Sequence, residues 1–476
     1  MNKGVKRAVF FGIVVLALGL RLRGIMNPLL DDQAWRQADT ASMGLNMLGH
    51  LTHIPNVFFP KLFYDGSVPQ KVELEFPFLP YLLAWTWTLF GWADIWGRLW
   101  AILFSLLALW GLYDLGRSLL GERMALMAAG FYAVTPLAVY YGRVVMPEPV
   151  AQAFSVWALA LAVRWQRNGQ RGFPLGPALG LAGAALAKLP QLMLLPVALT
   201  LAFWPRKRAK AGFLRALFFY LVVSMVPVML YYGWVHLGTR GQGQFVSGIL
   251  TQQVASGKNF FPEALRVNIY NGFTRVLLTA ALLGVCLLPW QPAAARRPLL
   301  IWGGINVLYV AVVCLRIPLD YYLVPLAPWF CLLAAAGLGK IEDTPGNVLA
   351  VVVLSLACFN GFRLLTPRYA WNPDYLVQAG WLRKHLQPGQ YLLLSDSPPM
   401  TLYYTRTPGF RLSTGSLPAA VREVEDSSAA YLVLSPYTRQ PPAFRAEIRR
   451  LYPEVGPGIF RLGRSTRSRL EAGKSG

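Results

Sequence analysis

The sequence predicts an all-α polytopic membrane protein with a small α/β domain at its carboxy-terminal end, and three observations lead there. The 476 residues are 55% hydrophobic and only 14% charged, whereas a soluble domain carries about 25% charged residues. Apolar runs of the roughly 17 to 25 residues needed to cross ~30 Å of hydrocarbon recur along the chain as far as residue 363. The net charge of +23 is concentrated in short segments between those runs, as the positive-inside rule requires. That placement points to a membrane surface and away from nucleic acid.

About eleven spans of this kind can be read, near residues 8 to 24, 98 to 117, 124 to 141, 148 to 165, 173 to 187, 190 to 204, 213 to 237, 274 to 290, 298 to 315, 321 to 338 and 347 to 363. The basic start followed by an apolar run resembles a signal peptide, but Arg21 and Arg23 come where a small-residue cleavage site would be, so a retained first span is expected. The two runs beside Lys188-Leu189-Pro190 are short, and read as two spans, one broken helix or a re-entrant pair. With the amino terminus in the cytoplasm, Arg117 and Arg123, then Arg164, Arg167 and Arg171, then Arg206 to Lys210, then Arg296 and Arg297, then Lys340 all fall on the cytoplasmic side. Arg21 and Arg23 are the exception. The apolar stretch 76 to 90, rich in Trp and Tyr, would invert every later loop if counted as a span, so it is read as a helix at the outer interface.

This leaves a long first outer loop, residues 25 to 97, and a second of intermediate length, 238 to 273. Long loops usually carry function. Beyond residue 364 the composition turns soluble: 376 to 386 has helical periodicity, Gln387-Pro388-Gly389 is a turn, and 391 to 394 and 430 to 434 read as buried strands. The expected division is 1 to 364 membrane, 365 to 464 periplasmic α/β, and a disordered polar tail from 465. The four cysteines lie in apolar runs with no CxxC or metal spacing, the four histidines are scattered, and no Walker loop, GxGxxG or HExxH is present. No internal repeat of the kind common in transporters is visible.

Three carboxylates, Asp31, Asp32 and Asp39, lie just after the first span, with Arg36 among them. One would serve as general base toward an attacking hydroxyl while Arg36 holds an anion bidentately; the alternative is an acidic turn that offsets a helix dipole. Glu148 sits in a tight turn, Tyr140-Tyr141-Gly142-Arg143 to Met146-Pro147-Glu148-Pro149, where an acid at a helix start is equally a dipole partner. Glu73 and Glu75 precede the interfacial helix, with Lys61 and Lys71 nearby to meet phosphate or lipid headgroups. Tyr321 and Tyr322 open the tenth span, an ordinary place for an aromatic belt. An enzyme facing away from the cytoplasm has no supply of ATP or nucleotide sugars. A donor delivered through the membrane, such as a lipid-phosphate sugar, meets that need.

The run Asp31-Asp32-Gln33-Ala34-Trp35-Arg36-Gln37-Ala38-Asp39-Thr40, then Glu73-Leu74-Glu75-Phe76-Pro77-Phe78-Leu79-Pro80-Tyr81, then Tyr140 to Pro149 resembles bacterial GT-C glycosyltransferases of the dolichyl-phosphate-mannose protein mannosyltransferase type, a group that includes the enzymes adding aminoarabinose to lipid A. The resemblance covers the part up to about residue 364 and is most distinctive in the first third. It implies a multi-pass protein of the bacterial inner membrane, a polyprenyl-phosphate sugar donor, and an acidic pair in the first outer loop, here Asp31 as catalytic base and Asp32, which is usually Glu in the family. It also implies a second-loop acid at Glu148, usually Asp in relatives, and aromatic groups near the donor phosphate at Tyr321 and Tyr322. A divalent metal is implied for some members, without a ligand set legible here. The expected function is transfer, with inversion, to a lipid, glycan or protein hydroxyl; the alternative is a transporter or flippase of lipid-linked glycans.

Overall fold

The computed structural model describes residues 2–204, 210–239, 246–249, 251, 259–341, 343–395, 398–412, 417–436 and 441–462. The expected polar tail from 465 lies outside them, as do residues 240–245, 250 and 252–258 of the 238–273 loop. Six stretches among the described residues are long and apolar enough to cross a membrane: Asp94–Leu119, Gly212–Thr239, Pro262–Cys286, Ala293–Cys314, Asp320–Leu338 and the apolar part of Pro345–His385. Further helices run over Lys3–Leu22, Glu122–Val134, Glu148–Arg167, Leu175–Ala187 and Leu195–Phe203.

The chain forms two compact units. The first comprises Met1–Met26, Glu73–Leu79 and Ile95–Pro367. Its helices break where the sequence withdraws a donor or adds a charge. Thr135-Pro136 separates Glu122–Val134 from Pro136–Tyr140, because proline has no N–H to continue the ladder. Beside that break lies Arg21, fully buried, whose guanidinium donates to Ala133 O (3.1 Å), Ala138 O (2.9 Å) and Ser105 Oγ (2.7 Å). Arg21, read from the sequence as an exception to the charge rule, is an internal hydrogen-bond donor in the fold. A Cβ at Gly142 would collide with Ala138 O and Ser105 Oγ, so glycine is required there. A second break falls at Lys188, extended at φ −158°, ψ 110°, between Leu175–Ala187 and the 3₁₀ turn Leu189–Leu194. Gln170 Nε2 donates to Ala202 O (3.0 Å) and the rings of Trp165 and Phe203 lie 5.3 Å apart, so the chain doubles back after Lys188, and the reading as one broken helix is corrected. The helix Pro262–Cys286 begins twelve residues before the apolar run that betrays it, since its first turns are polar, and it is kinked at Thr274 (φ 60°, ψ 150°).

The second unit comprises Asn27–Val72, Pro80–Asp94 and Arg368–Gly476, so the carboxy-terminal segment is built together with most of the first long loop. Strands β1 (Lys61–Leu62) and β2 (Gln70–Lys71) form a small antiparallel pair. The main sheet has the order β4-β3-β5-β7-β6, with β3 (Leu392–Leu394) parallel to β4 (Gly409–Arg411) and to β5 (Tyr431–Val433), while β7 (Ile459–Arg461) is antiparallel to β5 and to β6 (Glu454–Gly456). Leu393, Val424, Leu432, Phe444, Ile448 and Phe460 pack its core. The loop and the sheet are joined through backbone: Gly409 N donates to Phe63 O (2.8 Å) and Gly66 N to Gly409 O (3.3 Å). A side chain at 409 would press on Leu392 O at 2.6 Å. Asp94 accepts from the hydroxyls of Tyr403 and Tyr404, both at 2.6 Å, and Tyr404 Oη also receives Leu29 N (2.7 Å).

Candidate functional site

In the first unit Glu148 is the first residue of the helix Glu148–Arg167, where the positive end of the dipole favours an anion. Lys188 follows the carboxy-terminal end of Leu175–Ala187, where a cation is favoured. The two meet in an ion pair, Lys188 Nζ to Glu148 Oε1, with side chains only 6% and 2% exposed. Glu148 Oε2 is buried with no hydrogen-bond partner among the described residues. The ammonium lies 4.4 Å from the centroid of the Tyr321 ring and 5.0 Å from that of Tyr322, with the two rings 4.9 Å apart, a geometry in which ring faces stabilise a cation. Tyr141 Oη donates to Asp320 Oδ1 (2.5 Å), and Tyr309 Oη to the Tyr322 carbonyl (3.0 Å), which hold the 3₁₀ turn Asp320–Leu326 in place. Burying two charges costs more than such a pair returns unless further contacts or a function offset it. The Lys188 ammonium has three N–H donors, so it can hold Glu148 and accept an anion as well.

Arg143 is fully buried and donates to Gly24 O (2.7 Å), its guanidinium 5.7 Å from the Tyr140 ring. Glu75 is half-buried. Its neighbour Glu73, 4% exposed, accepts from Ser247 N (2.8 Å) and Ser247 Oγ (2.9 Å), and lies 3.1 Å from His236 Nδ1.

In the second unit Asp31 is 1% exposed and accepts from Gln37 Nε2 (2.7 Å), whose amide also donates to Asp32 O (3.0 Å). Asp32 is paired with Arg368 (3.1 Å), and its N–H donates to the Arg368 carbonyl (3.1 Å). Neither acid is the helix N-cap: that position belongs to Gln33, held in the left-handed region at φ 61°, and the helix Ala34–Met47 begins after it. Strain of this kind gathers where a side chain must be aimed. Asp39, buried at 2%, lies inside that helix within electrostatic reach of Tyr64 and Arg411, and Arg36 also acts on Tyr64. Lys61 and Lys71 are direct partners across the β1/β2 pair, with Lys71 Nζ 4.9 Å from the Phe59 ring. Two ammonium groups on facing residues repel unless an anion joins them.

Burial, and then the Asp39 carboxylate, hold the Tyr64 phenol well above the ordinary tyrosine range, while Arg36 and Arg411 pull it down. A raised value means that the folded protein keeps the proton longer than the unfolded chain does. The stabilisation is therefore complete below about pH 10, and is lost at up to ~1.4 kcal/mol per pH unit above it until the folded value is reached. Tyr64→Phe should flatten the fall in melting temperature between pH 10 and 11 and leave pH 7 to 9 unchanged; an unaltered alkaline limb would show that Tyr64 is not held neutral.

Sequence reasoning brought out Glu148, Tyr321 and Tyr322 but passed over Lys188, which it treated as punctuation, and Asp320. The signal was present: a lysine between Ala187 and Leu189 inside an apolar run is expensive and usually functional. Among the described residues no group of three or more His, Cys, Asp or Glu side chains could hold a metal ion.

Residues 72–232 match the dolichyl-phosphate-mannose-protein mannosyltransferase family. That segment contains Glu73, Glu75, Arg143, Glu148 and Lys188. The sequence matches no curated protein. The fold is similar to that of ArnT from Cupriavidus metallidurans bound to undecaprenyl phosphate, with TM-score 0.68 and 14% identity over 98% of this chain and 99% of that one. It is also similar to the Archaeoglobus fulgidus oligosaccharyltransferase in the apo form, with TM-score 0.62 and 11% identity over 90% of this chain and 69% of that one. The oligosaccharyltransferase AglB of that organism, in complex with an inhibitory peptide and a dolichol-phosphate, gives TM-score 0.58 and 12% identity over 89% and 69%.

Proposed function

From the premise that this chain resembles GT-C glycosyltransferases in fold, and the mannosyltransferase family over residues 72–232, we propose that it transfers a sugar from a polyprenyl-phosphate donor to a hydroxyl of a lipid, glycan or protein at the periplasmic face, with inversion. The observation that carries this reading is the buried Lys188–Glu148 pair walled by Tyr321 and Tyr322, an apolar-sided anion site of the kind a lipid phosphate needs. Two proteins of similar fold were captured with undecaprenyl phosphate and with a dolichol-phosphate.

In the reaction the acceptor oxygen attacks the anomeric carbon as the bond from that carbon to the phosphate oxygen breaks. The acceptor proton passes to Asp31, and the polyprenyl phosphate leaves as an anion. Lys188, in preference to Arg36, Arg143, Lys61 or Lys71, holds the growing charge on the phosphate. Asp31 suits the base role because Gln37 orients its carboxyl through a neutral amide, whereas Asp32 is held in the Arg368 pair. The accompanying topology is the one in the basic loops: amino terminus in the cytoplasm, about eleven spans, and residues 365 to 464 in the periplasm, recognising the acceptor.

Mass spectrometry of surface glycans and lipid-linked sugars, in cells with and without the protein, tests this. One sugar modification should disappear while its polyprenyl-phosphate donor accumulates. A transporter or flippase of lipid-linked glycans would leave that donor on the cytoplasmic face, protected from a membrane-impermeant label, and this result would replace transfer by transport.

A further inference from the structure

A groove of about 760 Å³ runs along the helix Pro262–Cys286, open on one side and lined by Arg266, Tyr270, Arg275, Leu278, Leu282 and Leu315 among others. Its walls divide by chemistry. Leu278 and Leu282 lie in the half of the helix after the Thr274 kink, and Leu282 is 62% exposed in a stretch apolar enough to span a membrane. Arg266 and Tyr270 lie before the kink and Arg275 directly after it, with the Arg275 guanidinium 5.5 Å from the Tyr270 ring.

An exposed arginine within an apolar span is costly unless its charge is met. Arg266 is held by Glu263 through two hydrogen bonds of 2.9 and 2.5 Å, so the trio Glu263, Arg266 and Arg275 carries one net positive charge. The kink adds to it. Thr274 Oγ1 accepts from Leu277 N (3.3 Å) and so caps a new helical segment, whose positive dipole end lies beside Arg275.

We infer that this groove is a binding site for an anionic glycerophospholipid of the surrounding bilayer. Its phosphodiester sits against Arg275 and Arg266, and an acyl chain lies along Leu278 and Leu282. The charge complementarity is one to one: a single phosphodiester oxyanion against a single net positive charge. The glycerophospholipid is a resident of the fold, separate from the sugar donor assigned to Lys188.

Native mass spectrometry of the full chain released from detergent, mixed with phosphatidylglycerol or phosphatidylcholine of identical acyl chains, tests the site. Phosphatidylglycerol should be retained preferentially. Arg275→Gln should weaken its retention about fivefold, the weight of one basic residue at an anionic lipid surface, and Arg275→Lys should restore part of it. Because the side chain is exposed, the melting temperature without added lipid should not change. Equal retention of the two lipids by the wild type, or undiminished phosphatidylglycerol on Arg275→Gln, would overturn the proposal. So would displacement of phosphatidylglycerol by equimolar undecaprenyl phosphate in a manner abolished by Arg275→Gln, which would make the groove a donor-lipid site.

Discussion

Asp31→Asn should lower turnover by about 100- to 10,000-fold, roughly 3 to 5 kcal/mol of barrier, while donor affinity and melting temperature stay near wild type. Asparagine keeps the volume of the side chain and an Oδ1 that can still accept from Gln37 Nε2, a bond of 2.7 Å in the native protein. What it loses is the ability to take the acceptor proton. The measurement is single-turnover transfer from a labelled polyprenyl-phosphate sugar, run beside thermal unfolding of the same preparation. If Asp31 is instead a structural acid, the surviving folded protein will turn over normally at a lowered melting temperature. Asp39→Asn should be milder in turnover, since Asp39 lies inside the helix Ala34–Met47, buried and coupled to Tyr64 and Arg411. The reverse ranking would move the base from Asp31 to Asp39.

Lys188→Met should act on both stability and binding. It leaves the Glu148 carboxylate, 2% exposed, without its cation, and uncompensated buried charges of this kind cost about 3 to 5 kcal/mol. Adding Glu148→Gln removes the orphaned charge, so the double variant should recover most of the lost thermal stability. Donor binding should not return with it, because the anion site needs the ammonium. Isothermal titration with a polyprenyl-phosphate sugar and unfolding curves on the two single variants and the double one separate these effects. Should the double variant bind donor as well as wild type does, Lys188 is a structural partner of Glu148 and the phosphate lies elsewhere.

The membrane character was legible because hydrophobic burial in lipid leaves a coarse signature: long apolar runs and basic punctuation survive any detail of packing. Even the break at Lys188-Leu189-Pro190 was visible, since proline and charge act on the backbone locally. Asp31, Asp32 and Glu148 stood out by the same logic, as carboxylates next to hydrocarbon. Local pattern failed where contacts are distant in the chain. Strands of three residues such as Gly409–Arg411 and Ile459–Arg461 are too short for alternation to register. Hydropathy is blind to polar turns, so the sequence marks only the apolar half of the helix Pro262–Cys286.

Arg21 shows the limit most clearly. From composition it is a charge on the wrong side of a span; in the fold it donates to carbonyls 112 and 117 residues away. Lys188 is the same lesson at the site, an ammonium whose meaning depends on Glu148 and on two tyrosine rings more than 130 residues further on. Which solvent surrounds each segment follows from residue type and spacing, quantities that add along the chain. Which buried charge meets which partner depends on long-range closure of the chain, where desolvation makes a polar group either costly or useful according to neighbours that no local window contains.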